Sequence, residues 1–255
     1  MNAIQRGRLF LVPAPLDFGC DETLPLDESM PMHTVRTAAG INHWVCENAK
    51  STRAYLKRID AITPLALAIQ AQTLTELPRE VHKHGDHNGQ FNAKPLLGAA
   101  LQGHDIGLIS EAGMPAVADP GSSVVRAAHE LNLTVVPLVG PVSILLALAA
   151  SGLNGQNFAF VGYLPHDAAQ RVQRIRDLES LALKSGQTQL FIETPYRNLA
   201  MLQALLQTLQ SGTRLAVSSG LTLRRSANQA FTVTQWKQTL AALDNSTPAI
   251  FAIGR

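Results

Sequence analysis

The sequence predicts an α/β protein built as two α/β domains with mainly parallel, mixed sheets. Three observations carry that expectation. Short apolar runs alternate with longer helical patterns along the whole chain, and the connections between them are short, as in strand–helix–strand units. The apolar runs number about ten, more than the roughly 4–6 strands of a typical single sheet. Apolar residues make up 46% of the 255 residues and charged residues 16%, which is too hydrophobic and too weakly charged for a disordered chain.

Taken in order, 8–12 reads as a buried strand cut off by the Pro13-Ala14-Pro15 breaker. A second strand is expected at 42–47, then a helix at 51–59 and a third strand at 65–69. A helix at 93–101 leads past Gly103 to a strand at 105–109, and a helix at 122–131 leads to a strand at 134–138. The helix at 143–150 is apolar almost throughout, so burial on most sides is expected. The second half continues with strand 157–163, helix 168–184, strand 188–192, helix 199–209 and strand 214–218. An antiparallel strand at 230–234, a helix at 235–243 and a closing strand at 249–253 complete the reading. The turn-rich segment from Ser110 to Gly121 is the expected join, giving domains 1–118 and 119–255.

Several classes fall away on composition. The longest unbroken apolar run, Ile144 to Ala150, is far shorter than the roughly 20 residues of a membrane span. Leu9 to Val12 behind Arg6 and Arg8 imitates a signal peptide, but Pro13 and Pro15 interrupt it. A cytoplasmic globular protein is therefore expected. Cys20 and Cys46 alone make neither a disulfide framework nor a zinc site. A net charge of +2 neither excludes nor argues for a nucleic-acid partner.

In open α/β sheets, ligands bind beyond the carboxyl ends of strands. Three such loops are rich in Gly and Pro: 13–19, 110–121 (SEAGMPAVADPG) and Val139-Gly140-Pro141. None carries GxGxxG or GxxxxGK[ST], so a dinucleotide or ATP site finds no support. The wording of these loops resembles the tetrapyrrole methylase superfamily, and within it the branch that 2′-O-methylates a ribose of small-subunit ribosomal RNA. Leu108 to Gly121, LISEAGMPAVADPG, is similar to that family's LISDAGTPxxxDPG. VVPLVGPVSILLALAASGL (Val135 to Leu153) is similar to VVPLPGPxAxxxALxxSGL. The motifs GRLFLVPAPL (7–16), FVGYLP (160–165), FIETPYR (191–197) and PAIFAIG (248–254) fall in the family's order across nearly the whole chain.

The resemblance implies a homodimeric methyltransferase of the tetrapyrrole methylase fold, with S-adenosylmethionine (SAM) folded in a cleft between its domains. On matching positions it assigns the cofactor to Leu16, Ala112, Gly113, Met114, Val117, Val142, Ser143 and Glu193. Backbone groups on glycine-rich loops suit such a ligand without many charged side chains. Methyl transfer to a ribose hydroxyl needs an in-line nucleophile and profits from a base. The carboxylates Glu47, Glu111, Asp119 and Glu193 are the candidates, although Asp119, before Pro120-Gly121, also suits a turn. Arg197 either holds Glu193 in an ion pair or faces a substrate phosphate, and the ion pair is the favoured reading.

Departures from the family concentrate away from the cofactor loops. Asp17-Phe18 stands where the family has Gly-Asn, and AEDTR is reduced to Cys46-Glu47-Asn48-Ala49-Lys50. Glu111 replaces an Asp, and 220–225 (GLTLRR) replaces the ELTKxxEE segment. The RNA target is therefore less firmly inherited than the cofactor. C-methylation of a tetrapyrrole is one alternative, although the first loop lacks the GxGPGD pattern of those enzymes. A SAM-binding protein without transferase activity is the other.

His82, His84, Asp86 and His87 crowd together, but their spacing matches no zinc pattern, and no metal is expected. Arg171, Arg174 and Arg176 alternate with acidic residues on an exposed helix face. With Arg224 and Arg225 they are candidates for a basic RNA rim. Trp44 and Trp236 read as core or interface anchors rather than base-stacking platforms.

Overall fold

A computed structural model describes residues 5–17, 19–84, 86 and 89–255. The chain forms two compact units, Met1–Gly19 with Leu24–Pro141, and Cys20–Thr23 with Val142–Arg255. The expected boundary at 118/119 falls inside the first unit, because the strand after it joins the first sheet.

The first unit runs β1 (Arg8–Leu11), α1 (Met32–Ala39), β2 (His43–Cys46), α2 (Ala49–Asp60), β3 (Thr73–Glu76), α3 (Arg79–His84), α4 (Gly98–Leu101), β4 (Ile106–Ile109), α5 (Ser122–Glu130) and β5 (Thr134–Pro137). Its five strands lie in the order β3-β2-β4-β1-β5. Every pairing is parallel, with Leu9 opposite Ile106 and Val45 opposite Leu108. Both faces are covered, as an all-parallel sheet requires. Phe10, Val12, Trp44 and Cys46 pack under Val35 and Ala38 of α1 and Leu56 and Ile59 of α2. On the opposite face Leu9, Val45 and Leu108 pack under Leu97, Ala100, Val124 and Ala128. Gly107 makes room for the Trp44 ring, since a Cβ there would lie 2.5 Å from it. Trp44 is the core anchor expected, and its indole N–H donates to Gln72 Oε1 at 2.8 Å.

The second unit runs α6 (Ser143–Ser151), β6 (Phe158–Tyr163), α7 (Ala168–Ser185), β7 (Thr188–Glu193), α8 (Asn198–Thr208), β8 (Arg214–Ser219), β9 (Ala227–Thr232), α9 (Val233–Trp236) and β10 (Ala249–Gly254). Its five strands lie in the order β6-β7-β10-β8-β9. Only β6 and β7 run parallel. The closing strand β10 sits between β7 and β8, antiparallel to both, and β9 is antiparallel to β8. Phe191 and Phe251 stack in the core at 5.6 Å, and Trp236 closes it with its N–H on the Leu215 carbonyl.

Three expectations change. Residues 65–69 form no strand. Leu65 and Ile69 instead pack on the first core, and the third strand is the polar edge Thr73–Glu76. The last helix is a single turn, Val233–Trp236. Finally, α6 buries Ile144, Ala147 and Leu148 but leaves Leu145 49% and Leu146 39% exposed, so its apolar surface is only half used.

Candidate functional site

In the first unit the three Gly/Pro-rich loops converge at the carboxyl ends of β1, β4 and β5. Ala14 and Gly113 exchange two backbone hydrogen bonds of 2.9 Å, tying the first-strand loop to the AGMP loop. Gly113 has φ +68°, a left-handed conformation that glycine adopts without strain. A Cβ there would lie 3.2 Å from Leu16 and 3.7 Å from the Pro141 carbonyl. Gly140 in turn lies against Pro13, where a Cβ would come within 2.3 Å of the ring. Tyr55 donates to the Pro13 carbonyl at 3.1 Å and Thr34 to the Val139 carbonyl at 2.7 Å. Leu16, Ala112, Gly113 and Met114 thus share one rim, with Val117 exposed further along the same loop. Ala116 and Ala118 hold left-handed φ of 63° and 64°, a conformation unfavourable for alanine.

Three of the four carboxylates expected from the sequence, Glu47, Glu111 and Asp119, lie at this end of the sheet. The Glu111 amide donates to Glu47 Oε2 at 3.3 Å, and Ser51 donates to Glu111 Oε1 at 3.3 Å. Burial, then the charges of Glu47 and Glu111, push the Asp119 carboxyl up to about 7. Asp119 is therefore poised to take up or release a proton near neutrality, which its turn-forming position did not reveal.

Asp17, which departs from the family pattern, forms an ion pair with Arg58 at 2.9 Å. Arg58 also donates to the Leu24 carbonyl, so this pair braces the loop. Asp86 caps α5: it accepts from the Gly121 and Ser123 amides at 3.0 and 2.8 Å and from the Ser122 and Ser123 hydroxyls at 2.7 and 2.6 Å. Burial pushes its carboxyl up, but these four bonds outweigh it and hold the group below its ordinary range. The side chains of His82 and His84, and His87 as a whole, lie outside the described residues. Among the described residues no group of three or more His, Cys, Asp or Glu is placed to hold a metal ion.

In the second unit, Val142 and Ser143 open α6, the Val142 carbonyl accepting from the amides of Leu145 and Leu146. Glu193 ends β7. Its Oε1 accepts from the Thr194 amide at 2.8 Å and the Thr194 hydroxyl at 3.1 Å. Its Oε2 lies 3.3 Å from Arg197 Nη2. Arg197 therefore holds Glu193, and its other Nη donates to His166 Nδ1. Arg171 donates to the His166 carbonyl at 3.0 Å, and Arg224 pairs with Glu22. Sequence reasoning missed His166. Its one signal is its place directly after the strand motif FVGYLP, at a strand's carboxyl end.

One unit carries a parallel sheet with glycine loops and carboxylates at its carboxyl edge, the other carries a mixed sheet, and residues 32–237 match the model of the Tetrapyrrole (Corrin/Porphyrin) Methylases. The chain belongs to that family. Among curated proteins it is 35% identical over 137 residues to ribosomal RNA small subunit methyltransferase I of Vibrio cholerae serotype O1, covering 54% of this chain and 46% of that one. It is 32% identical over 215 residues to the protein of the same description from Mesorhizobium japonicum, covering 84% of this chain and 63% of that one. The chain thus spans about half to under two thirds of the length of these relatives. Among solved structures, uroporphyrin-III-C-methyltransferase of Thermus thermophilus shares the fold, with a TM-score of 0.54 at 17% identity over 98% of this chain and 94% of that one.

Proposed function

We propose that the chain is a SAM-dependent methyltransferase acting on RNA, by ribose 2′-O-methylation of small-subunit ribosomal RNA or a related target. The observation that carries this reading is the similarity to proteins described as ribosomal RNA small subunit methyltransferase I, extending over 84% of the chain in one of them. The Gly113 rim, with φ +68° and no Cβ, leaves backbone open to close approach, which fits a ligand rich in hydrogen-bonding groups. Leu16, Ala112, Gly113, Met114 and Val117 in the first unit, and Val142, Ser143 and Glu193 in the second, are the residues proposed to hold it. When bound, SAM supplies a methyl group on a sulfonium.

The chain's own part is to orient the acceptor and to receive its proton. Asp119, with its carboxyl raised to about 7, is proposed as the proton acceptor for a ribose hydroxyl, because a base works best with a pKa near the working pH. Glu47 and Glu111 act on it through their charge. Arg197 keeps a supporting role through Glu193.

A homodimer is part of the same proposal. The exposed Leu145 and Leu146 on α6, and the exposed Tyr163 on β6, offer apolar surface for a second copy. A cytoplasmic setting follows from the ribosomal target. Among the described residues no helix is long and apolar enough to cross a membrane.

Labelled SAM incubated with small ribosomal subunits from cells lacking this protein tests the reading. Label is expected in the ribose of one ribosomal RNA nucleotide. Label in a corrin or porphyrin acceptor instead supports tetrapyrrole C-methylation, and SAM binding without transfer to either supports a binding protein.

A further inference from the structure

At the carboxyl end of β7 a buried ion pair leads outward to an exposed imidazole. The Glu193 side chain is 2% exposed and that of Arg197 17%, whereas His166 lies on the surface. Arg197 joins the two, with one Nη beside Glu193 Oε2 and the other donating to His166 Nδ1. A guanidinium has donors only, so Nδ1 must accept, and the single proton of the neutral ring sits on Nε2. Arg171 meanwhile donates to the carbonyls of His166 at 3.0 Å and Pro165 at 3.4 Å, fixing the backbone of the same turn. The ring is held through both its side chain and its backbone, in one tautomer. Among the described residues nothing accepts from Nε2–H.

Such an arrangement is a poor source of stability. Burying an ion pair roughly breaks even, and ordering a surface side chain costs rotamer entropy. What it yields is a positioned N–H donor on a turn whose ring is held by Arg197 and whose backbone is held by Arg171. One buried donor of the cluster, Arg171 Nε, also lacks a hydrogen-bond partner among the described residues, whereas Glu193 Oε2 has its ion pair with Arg197. The nearby Asp167 carboxylate accepts from the Gln170 amide at 2.9 Å, capping α7. A fixed N–H donor on a surface turn braced by arginines suits an anionic oxygen. In an RNA substrate that oxygen belongs to the phosphodiester backbone, where contacts set register and orientation.

We propose that His166 is a substrate-contacting residue whose Nε2–H, fixed by the Glu193–Arg197 pair and the Arg171 brace, donates to a backbone phosphate oxygen of the RNA. The inference rests on the RNA methyltransferase reading. The carboxylate of SAM has similar chemistry, so the test separates the two ligands.

The full chain is compared with His166→Ala and His166→Gln, with thermal melting to show that each folds. Filter binding to a small-subunit ribosomal RNA fragment and calorimetry with SAM are the readouts, together with KM and kcat for RNA methylation. His166→Ala is expected to weaken RNA binding and raise the RNA KM about tenfold, the scale of one hydrogen bond to a charged group. SAM affinity and kcat at saturating RNA stay within about twofold on the same scale. His166→Gln, whose amide replaces the Nε2–H donor, recovers most of the loss. The slope of RNA affinity against salt stays the same, because a neutral donor releases no counterion. Unchanged RNA affinity in His166→Ala overturns the proposal, as does a loss of SAM affinity in its place. A parent protein that binds SAM but no RNA overturns the RNA reading first and this inference with it.

Discussion

The two sheets hold their carboxyl-end loops by different means. In the first, parallel strands bring neighbouring loops to one edge, and the loops are tied backbone to backbone, as between Ala14 and Gly113. In the second, β10 runs against β7, so the carboxyl end of β7 at Glu193 lies beside the amino end of β10 at Ala249. The segment entering β10 lies at that end, and the segment after β7 is anchored there by side chains: Glu193 to Thr194 and Arg197, and Asn198 to the carbonyls of Asp244 and Thr247. The first edge rests on main-chain bonds between its loops, and the second adds side-chain anchors to the main-chain bond from the Gly220 amide to the Pro248 carbonyl.

That contrast is open to direct attack. Arg197→Met should have the largest effect, a loss of about 3–5 kcal/mol, because it strands a buried carboxylate. Urea unfolding followed by hydrogen exchange should place the loss in the second unit. A cost under about 1 kcal/mol would mean that the pair is not what holds the segment. Asp119→Asn probes the first unit. The folded carboxyl keeps its proton up to about 7, whereas its ordinary value is 3.8. Between those values the folded state binds more protons than the unfolded state, so stability falls as pH rises through the window. The Asn variant has no proton to lose, and should gain on the order of 2 kcal/mol over the parent at pH 8 and little at pH 4, while kcat for methylation drops. A pH-independent difference in urea melts, or an unchanged kcat, would remove Asp119 from its proposed role. Gln229→Ala is the smallest test. Gln229 accepts from the Ala242 amide at 2.7 Å and donates to the Leu240 carbonyl at 3.2 Å, tying the segment after α9 to β9. Its loss should cost about 1 kcal/mol and speed exchange of the Ala242 amide, leaving the first unit untouched.

Much of this was legible in the sequence because buried parallel strands announce themselves as apolar runs. β1, β2, β4 and β5 all fall within the runs expected. The third strand did not announce itself, since Thr73–Glu76 is a polar edge, while the apolar Leu65 and Ile69 cover the core without pairing. Helix α1 went unread because Pro31 before it supplies no side-chain cap and its apolar stripe is short. The domain join was placed in the turn-rich loop 110–121, which lies at the carboxyl edge of the first sheet, inside the first unit. In the site, glycine and proline identified the loops, and Arg197 in TPYR was read as the ion-pair partner of Glu193. His166 was out of reach, because it meets Arg197 only once β6 and β7 lie side by side.

The position of β1 has a consequence for synthesis on the ribosome. Among the described residues it precedes the other strands of its sheet in the chain, yet it lies between β4 and β5. The apolar stretch Leu9–Leu11 therefore waits until the chain has grown past Pro137 before both of its flanks are paired. At translation rates of about 5–20 residues per second, that is a delay of roughly 6–25 s. During that interval a nascent chain with an unmatched strand is a natural client for a chaperone.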